Sequence, residues 1–375
     1  MTRPTLVSAA YPPDLDGIGD YTWWLGGALS RAIGDGIPVI TRTGDHLAQE
    51  GVKVHGVFDP HDLSSVRKLP FCVNGGWLVF QYNPFSWGRR GWCPAVPEAL
   101  NSVKAVHPHL KLAVMFHETT VPRWPWKFAL MRRWQRPVFR KICKLADVAF
   151  ASSERYVRQI EKVGHPMSVV HLPVGSNVAR SSLDREEACR AMRLPDDAIL
   201  VGVFGSAHES RLLDWIGAAF AGVKENQPHA KVLYVGPHGD AIARAVGDSS
   251  LVIDMGIQPS DRAGVCLSAM DLLLAPFNDG ISTRRGSVIA AFQNGVPVAT
   301  TLSKWTDSVF RSQAPAALLL SQATTAIDFA RDTAEWATFL NNHSQKARYR
   351  EDIQAFHDAV FSWDLIAKQL MEALQ

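Results

Sequence analysis

The residues of this chain whose types and spacing could do chemistry lie in short loops that follow apolar runs. Phe116-His117-Glu118 closes one such run. A polar His-Glu pair at the carboxyl end of a strand sits where α/β enzymes place reactive groups. His117 could move a proton or orient a sugar hydroxyl, with Glu118 beside it, or it could simply be satisfied by local backbone. Ala275-Pro276-Phe277-Asn278-Asp279-Gly280-Ile281-Ser282-Thr283-Arg284-Arg285-Gly286-Ser287 ends another run and opens a helix. Helix-start amides beside two arginines make a seat for a diphosphate, and Asp279 and Ser282 could hold sugar hydroxyls. A capped helix with exposed arginines is the plain alternative. In Phe204-Gly205-Ser206-Ala207-His208-Glu209-Ser210-Arg211, the Gly205-Ser206 backbone could approach phosphate and Arg211 could supply the cation, or Arg211 could be a surface residue.

Three further stretches are candidates for binding. Pro12-Pro13-Asp14-Leu15-Asp16-Gly17-Ile18-Gly19-Asp20-Tyr21 would let a ligand approach at Gly17 and Gly19. It lacks a third glycine at Thr22, which disfavours a dinucleotide. Its acidic pair reads as turn formation before metal binding. Gln81 to Trp92 is rich in aromatics, and Tyr82, Arg89 and Arg90 are candidates for an acceptor pocket. From Thr119 to Ala146 there are eight basic residues and no acid, which leaves the rest of the chain at net −5. Trp124, Trp126, Arg132 and Arg133 belong to this block. A basic aromatic segment reads as a surface for anionic lipid, with nucleic acid as a second and less favoured reading, and a solvated basic face as the plain one. Pro137 is expected to break or kink it.

The elements that must position these loops follow from hydrophobic patterning. Apolar runs at Thr5–Ala9, Pro38–Thr41, Val52–His55, Trp77–Gln81, Leu112–Phe116, Val148–Ala151 and Val169–Leu172 alternate with helical stretches. Runs that are apolar throughout suit parallel strands covered on both faces. After the turn chemistry of Leu172 to Asn177 the pattern restarts, with strands expected at Ile199–Phe204, Lys231–Val235, Leu251–Ile253, Asp271–Ala275 and Val296–Thr300. The stretch from about 322 to 375 reads as helices only. The reading is α/β, two doubly wound Rossmann-like domains: residues 1–180, 181–355, and a last helix over 356–375.

Composition removes other classes. Apolar residues make up 47% and charged residues 20%, which is globular and neither disordered nor coiled coil. No run is long and apolar enough for a membrane span, and the first residues do not read as a signal peptide, so a cytoplasmic protein is expected. Five scattered cysteines without CxxC spacing argue for reduced thiols and against structural zinc. The P-loop, HExxH and GxSxG patterns are missing.

Taken in order, these motifs resemble the GT-B glycosyltransferases, most closely the GT4-like, nucleotide-sugar-dependent family. The resemblance runs through Asp16 to Tyr21, Phe116-His117-Glu118, Leu172 to Asn177 and Val203 to Ser206. Its most specific part is Met270 to Thr301, and Phe361-Ser362-Trp363-Asp364 begins the last helix. It implies two domains facing a cleft, the first binding acceptor and the second the nucleotide-sugar donor. It also implies a last helix that crosses back to the first domain, and metal-independent transfer, usually with retention. Donor binding would fall to Gly17, Gly19, Gly205, Ser206, Arg211, Asp279, Gly280, Ser282, Thr283, Gly286 and Ser287, and catalysis to His117, Glu118 and Arg285. The family's paired glutamates, spaced E-x7-E, fall here on Ser282 and Ala290. Asp279 and Ser282 are candidates to substitute for the first; nothing replaces the second.

The expected function is therefore hexosyl transfer from a nucleotide-diphosphate sugar to a glycan or polyprenyl-linked acceptor, as in polysaccharide biosynthesis. No metal or cofactor is expected, and the inner face of the membrane is a possible location. Rivals are an epimerase or phosphorylase on the same fold, or a non-catalytic protein binding anionic lipid or nucleic acid over a degenerate donor site.

Overall fold

A computed structural model describes residues 3–72, 76–122 and 126–375. The chain divides into two compact units, Met1–Val174 with Trp363–Gln375, and Gly175–Ser362. The unit boundary thus falls at Val174/Gly175, a few residues before the expected 180. The long helix His343–Val360 ends before Phe361, and the last helix starts at Trp363 rather than 356.

The first unit is built on β1 (Thr5–Val7), β2 (Ile37–Arg42), β3 (Val52–Phe58), β4 (Trp77–Tyr82), β5 (Lys111–Phe116), β6 (Val148–Ala151) and β7 (Ser168–His171). They form one sheet in the order β3-β2-β1-β4-β5-β6-β7. Every pairing is parallel, with β4 and β5 in register from Trp77 opposite Lys111 to Tyr82 opposite Phe116. Leu78, Val79, Phe80, Val114 and Met115 are fully buried, because both faces are covered by helices. The helix Gly17–Ile33 begins inside the loop that carries Gly17 and Gly19. Asp16 caps it, its carboxylate accepting from the Ile18 and Gly19 amides at 2.8 and 2.9 Å. Gly17 and Gly19 are therefore first-turn helix residues. The helix Trp363–Ala373 packs Ile366, Ala367 and Leu370 into this unit's core, and Arg31 pairs with Asp364 at 2.8 Å.

The second unit holds β8 (Leu200–Phe204), β9 (Lys231–Val235), β10 (Val252–Asp254), β11 (Leu272–Ala275), β12 (Val298–Thr301) and β13 (Leu318–Ser321). Their order is β10-β9-β8-β11-β12-β13, again all parallel. The sixth strand, β13, is a leucine run without β-branched residues, as β11 is. Asp271, just before β11, is buried with Arg185 at 2.9 Å, Lys346 at 2.8 Å and the Leu200 amide at 2.9 Å. Burial alone would raise its carboxyl pKa; the Arg185 and Lys346 charges reverse this and hold it low.

Pro137 does not break the basic segment. Residues Trp126–Leu145 form one helix with Pro137 on an exposed position, where the backbone carbonyl it leaves unpaired can reach water.

Candidate active site

Each sheet reverses its strand order once, between β1 and β4 in the first unit and between β8 and β11 in the second. Loops leaving the carboxyl ends of strands at such a reversal diverge and open a crevice, the usual ligand site of this architecture.

In the second unit the loops after β8 and β11 are laced together. The Leu212 amide donates to Pro276 O at 3.1 Å, the Asn278 amide to Ser210 O at 2.9 Å, and Arg211 bridges Phe277. Gly205 adopts φ +93°, and its carbonyl accepts from the buried Tyr234 hydroxyl at 3.1 Å. A Cβ on Gly205 would stand 3.4 Å from Ser287 Cβ and 3.7 Å from Arg211, so the glycine turn, the start of helix Gly286–Gln293 and the guanidinium share one corner. That helix start has no side-chain cap; the Gly286 and Val288 amides donate to Arg284 O at 3.2 Å and Arg285 O at 2.9 Å, which leaves the Ser287 amide available to an acidic ligand.

Arg211 is 7% exposed. Its Nη2 donates to Phe204 O at 2.7 Å and to Ser287 Oγ at 3.4 Å, while Nε and Nη1 have no partner. None of these bonds goes to a carboxylate. Burial lowers its pKa to about 10, so it stays charged at neutral pH. A buried guanidinium without an anion is costly, and it persists where an anionic ligand completes it.

Arg285 has a different environment from the one expected of a catalytic cation. It pairs with Asp279, donates to Ser210 Oγ at 3.0 Å and stacks 4.0 Å from the Phe277 ring centre. Arg284 reaches the same carboxylate at 2.9 Å. Burial would raise the Asp279 pKa, but the Arg285 and Arg284 charges bring it below the usual carboxylate range. Asp279 is thus spoken for by two guanidiniums and does not offer an open carboxylate to a sugar. Thr283 is likewise engaged, its amide and hydroxyl both donating to buried Asp307 at 2.7 and 2.9 Å. Ser282 is 6% exposed with an unpartnered hydroxyl. Gly280 holds φ +74° with three atoms of Ser303 and Thr306 2.8 Å from any Cβ, so only glycine fits. A Cβ on Gly286 would meet only Asn177 Oδ1, at 3.9 Å, and Ser206 is exposed. Ala290 is fully buried in the core, so no side chain stands at the second glutamate position.

In the first unit, His117 follows β5. In its Nε2–H tautomer the ring donates to Gln81 Oε1 at 2.8 Å, which leaves Nδ1 as an acceptor. Tyr21 packs edge-on at 4.6 Å, and Trp363 packs on Tyr21 at 5.1 Å. Burial pushes the imidazole pKa down to about 3. His117 is thus a neutral hydrogen-bonding group at physiological pH. Glu118 beside it is half-buried. Gly19 lies 3.2 Å, at its would-be Cβ, from the Ala10 and Tyr11 backbone, whereas Gly17 faces open space. Both belong to the first unit, and Gly17 lines a cavity of about 720 Å³ there.

The acceptor and membrane candidates separate into three groups. Tyr82 is fully buried against Phe116, with ring centres 5.5 Å apart, so it is a core residue and lines no acceptor surface. Arg132 is tied down, donating to Thr120 Oγ1 and Val121 O at 2.7 Å each. Arg89, Arg90, Arg133 and Trp126 are exposed, and Trp126 is 73% exposed. Arg90 also has a left-handed backbone, φ 56°, whose carbonyl accepts from Trp134 and Gln135. Trp124 lies outside the described residues.

Residues that the sequence reading left out hold the site together: Gln81 and Tyr21 around His117, Phe277 and Ser210 around the arginines, Tyr234 under Gly205 and Asp307 under Thr283. Gln81 and Phe277 stood inside the stretches singled out. Tyr234 and Asp307 carried no local signal. Among the described residues no group of three His, Cys, Asp or Glu side chains could hold a metal ion, and no helix is long and apolar enough to cross a membrane.

No protein-family model and no curated protein matches the chain. Solved structures do. Sucrose-phosphate synthase from Thermosynechococcus elongatus is 15% identical over 99% of this chain and 98% of its own, with a TM-score of 0.75. HepE of Anabaena, solved with UDP and glucose, is 14% identical over 100% and 99%, with a TM-score of 0.66. WaaG, a glycosyltransferase involved in lipopolysaccharide biosynthesis, is 14% identical over 99% of each chain, with a TM-score of 0.67. With two parallel, doubly wound sheets and this likeness along almost its whole length, the chain has the fold of the GT-B glycosyltransferases.

Proposed function

We propose that this protein is a glycosyltransferase that moves a sugar from a nucleoside-diphosphate sugar to a glycan or lipid-linked acceptor, without a metal and with retention of configuration. The observation that carries this reading is Arg211, a buried guanidinium with two unpartnered nitrogens at the strand-order reversal of the second unit. Breaking the anomeric bond leaves negative charge on the diphosphate. Arg211 and the Ser287 amide at the start of helix Gly286–Gln293 would meet that charge where it develops, in a site that needs no reorganisation. Asp279 would hold Arg284 and Arg285 in place beside it, so Arg285 acts through the shape and charge of the loop. Ser282, with its unpartnered buried hydroxyl, is the side chain at the first glutamate position, and it would bind through hydrogen bonding rather than charge. The role of His117 would be to accept a sugar hydroxyl at Nδ1, since its pKa is too low for it to serve as an acid near neutral pH.

The exposed basic residues of helix Trp126–Leu145, among them Arg133, Arg136, Arg140, Lys141 and Lys144, support peripheral attachment to an anionic membrane surface. Exposed Trp126 and Leu130 on the same helix suit an interface.

The test is turnover of UDP-, GDP-, dTDP- and ADP-linked sugars with a glycan acceptor panel, reading nucleoside diphosphate release and glycoside product together. Stoichiometric product supports transfer. Release without any glycoside would instead assign hydrolysis or epimer chemistry, and no turnover with any donor would remove the reading.

A further inference from the structure

The cavity of about 720 Å³ in the first unit lies at that unit's own strand-order reversal, lined by the loops after β1, β2, β3 and β4. Its polar lining is unlike that of the second unit. Asp14, Asp16 and Asp59 face it, beside His61 and a single guanidinium, Arg42, which already pairs with Asp14 at 3.3 Å, while Asp16 also caps the helix that starts at Gly17. Asn83, Ser86 and the aromatic Phe85 line it too, Phe85 being 40% exposed. Ser8 and Thr41, immediately before Ala9 and Arg42 of the lining, keep fully buried hydroxyls without a hydrogen-bond partner. Carboxylates and a side-chain amide accept and donate to hydroxyls in pairs, and an aromatic face covers the C–H side of a sugar ring. The same carboxylates repel phosphate, sulfate and uronate, and they attract an ammonium.

We propose that this cavity binds the sugar that accepts transfer, and that this sugar carries hydroxyl or amino groups and no anionic group. The assignment rests on the glycosyltransferase reading and adds the acceptor's chemical class to it. A lipid-linked acceptor would then present a neutral or amino sugar to this cavity, with its phosphate held elsewhere.

Saturation-transfer NMR on the full chain tests this, with UDP present and four probes at equal concentration: methyl α-glucoside, glucosamine, glucose 6-phosphate and glucuronic acid. Methyl α-glucoside and glucosamine should bind, and the two anions should bind about tenfold more weakly. Asp59 is exposed and its carboxylate accepts only from the His61 amide, so the side chain can be changed without disturbing the core. Asp59→Lys should close most of that gap, and Asp59→Asn about half of it. Equal or stronger binding of the anions, no binding of any probe, or a pattern unmoved by both Asp59 substitutions would overturn the proposal. Thermal protection by UDP, GDP, dTDP and ADP is read in parallel. If none of them protects while the sugar pattern and its Asp59 dependence hold, the glycosyltransferase reading fails and the cavity's preference stands.

Discussion

The two strand-order reversals have the same topology and opposite chemistry. After β8 and β11 the chain pairs Arg284 and Arg285 with one carboxylate, Asp279, and sets Arg211 over the Phe277 ring with no carboxylate partner. At the first unit's reversal the loops after β1 and β3 bring Asp14, Asp16 and Asp59 to one cavity with a single guanidinium, Arg42 at the end of β2, which pairs with Asp14. The backbone supplies a crevice in both cases, and the side chains decide what may enter it. The glycines differ in the same sense. Gly280 has a left-handed backbone and no room for a Cβ, so the loop after β11 is locked. Gly17 starts a helix with open space around it.

The comparison can be broken most sharply at Arg211. Arg211→Met should lower kcat/KM for the nucleotide sugar about 100-fold, the scale seen when one preorganised donor to a developing charge is removed. Its melting temperature should be unchanged or higher, since a buried guanidinium with two unpartnered nitrogens is lost. Steady-state kinetics and a thermal melt read the two effects separately. Lost activity together with a large loss of stability would make Arg211 a structural residue.

The glycine pair gives the next largest effect. Gly280→Ala should destabilise the chain by about 1–3 kcal/mol in denaturant unfolding, because a left-handed backbone and 2.8 Å contacts both oppose a methyl group. Gly17→Ala should be neutral or stabilising by up to about 1 kcal/mol, as alanine is the better helix residue and meets nothing. Equal effects at the two positions would mean that the loops do not differ in rigidity.

A smaller effect is expected at His117. Its folded pKa, about 3, lies below the ordinary 6.5, so between these values the unfolded chain binds the extra proton. Stability from this group is therefore complete above about pH 6.5 and falls as pH drops toward 3. The ring keeps part of its surface exposed, so the loss should be about 1–2 kcal/mol rather than the full value of the shift. Denaturant midpoints at pH 7 and pH 4.5 should lie closer together in His117→Gln than in the parent, and parallel pH dependence in the two proteins would contradict a buried neutral imidazole.

Much of the fold was legible because it is written in short-range pattern. Apolar runs such as Trp77–Gln81 and Val148–Ala151 can only be covered strands, and the structure places them within a residue or two. The run Leu318–Ser321 was not read as β13 because leucine is as much at home in a helix, and only pairing with Val298–Thr301 makes it a strand. The site was less legible. The loops after β8 and β11 stood out by glycine, serine and arginine, yet the pairing of Arg285 with Asp279 depends on how one loop folds back on itself. Tyr82 looked like an acceptor residue because its neighbours are loop residues, but strand alternation turns it into the core. The cavity escaped notice because Asp59 and Asn83 are far apart in sequence and meet only at strand ends.

The most direct test of the account is the melting temperature of the unmodified protein against UDP, GDP, dTDP and ADP, beside Arg211→Met. At about 100 times Kd one nucleotide should stabilise the parent by roughly 2.7 kcal/mol, a rise of a few degrees for a chain of this size. The same nucleotide should leave Arg211→Met unmoved. A parent that responds to none of them, or an Arg211→Met variant that responds as fully as the parent, would contradict a diphosphate seat built on Arg211.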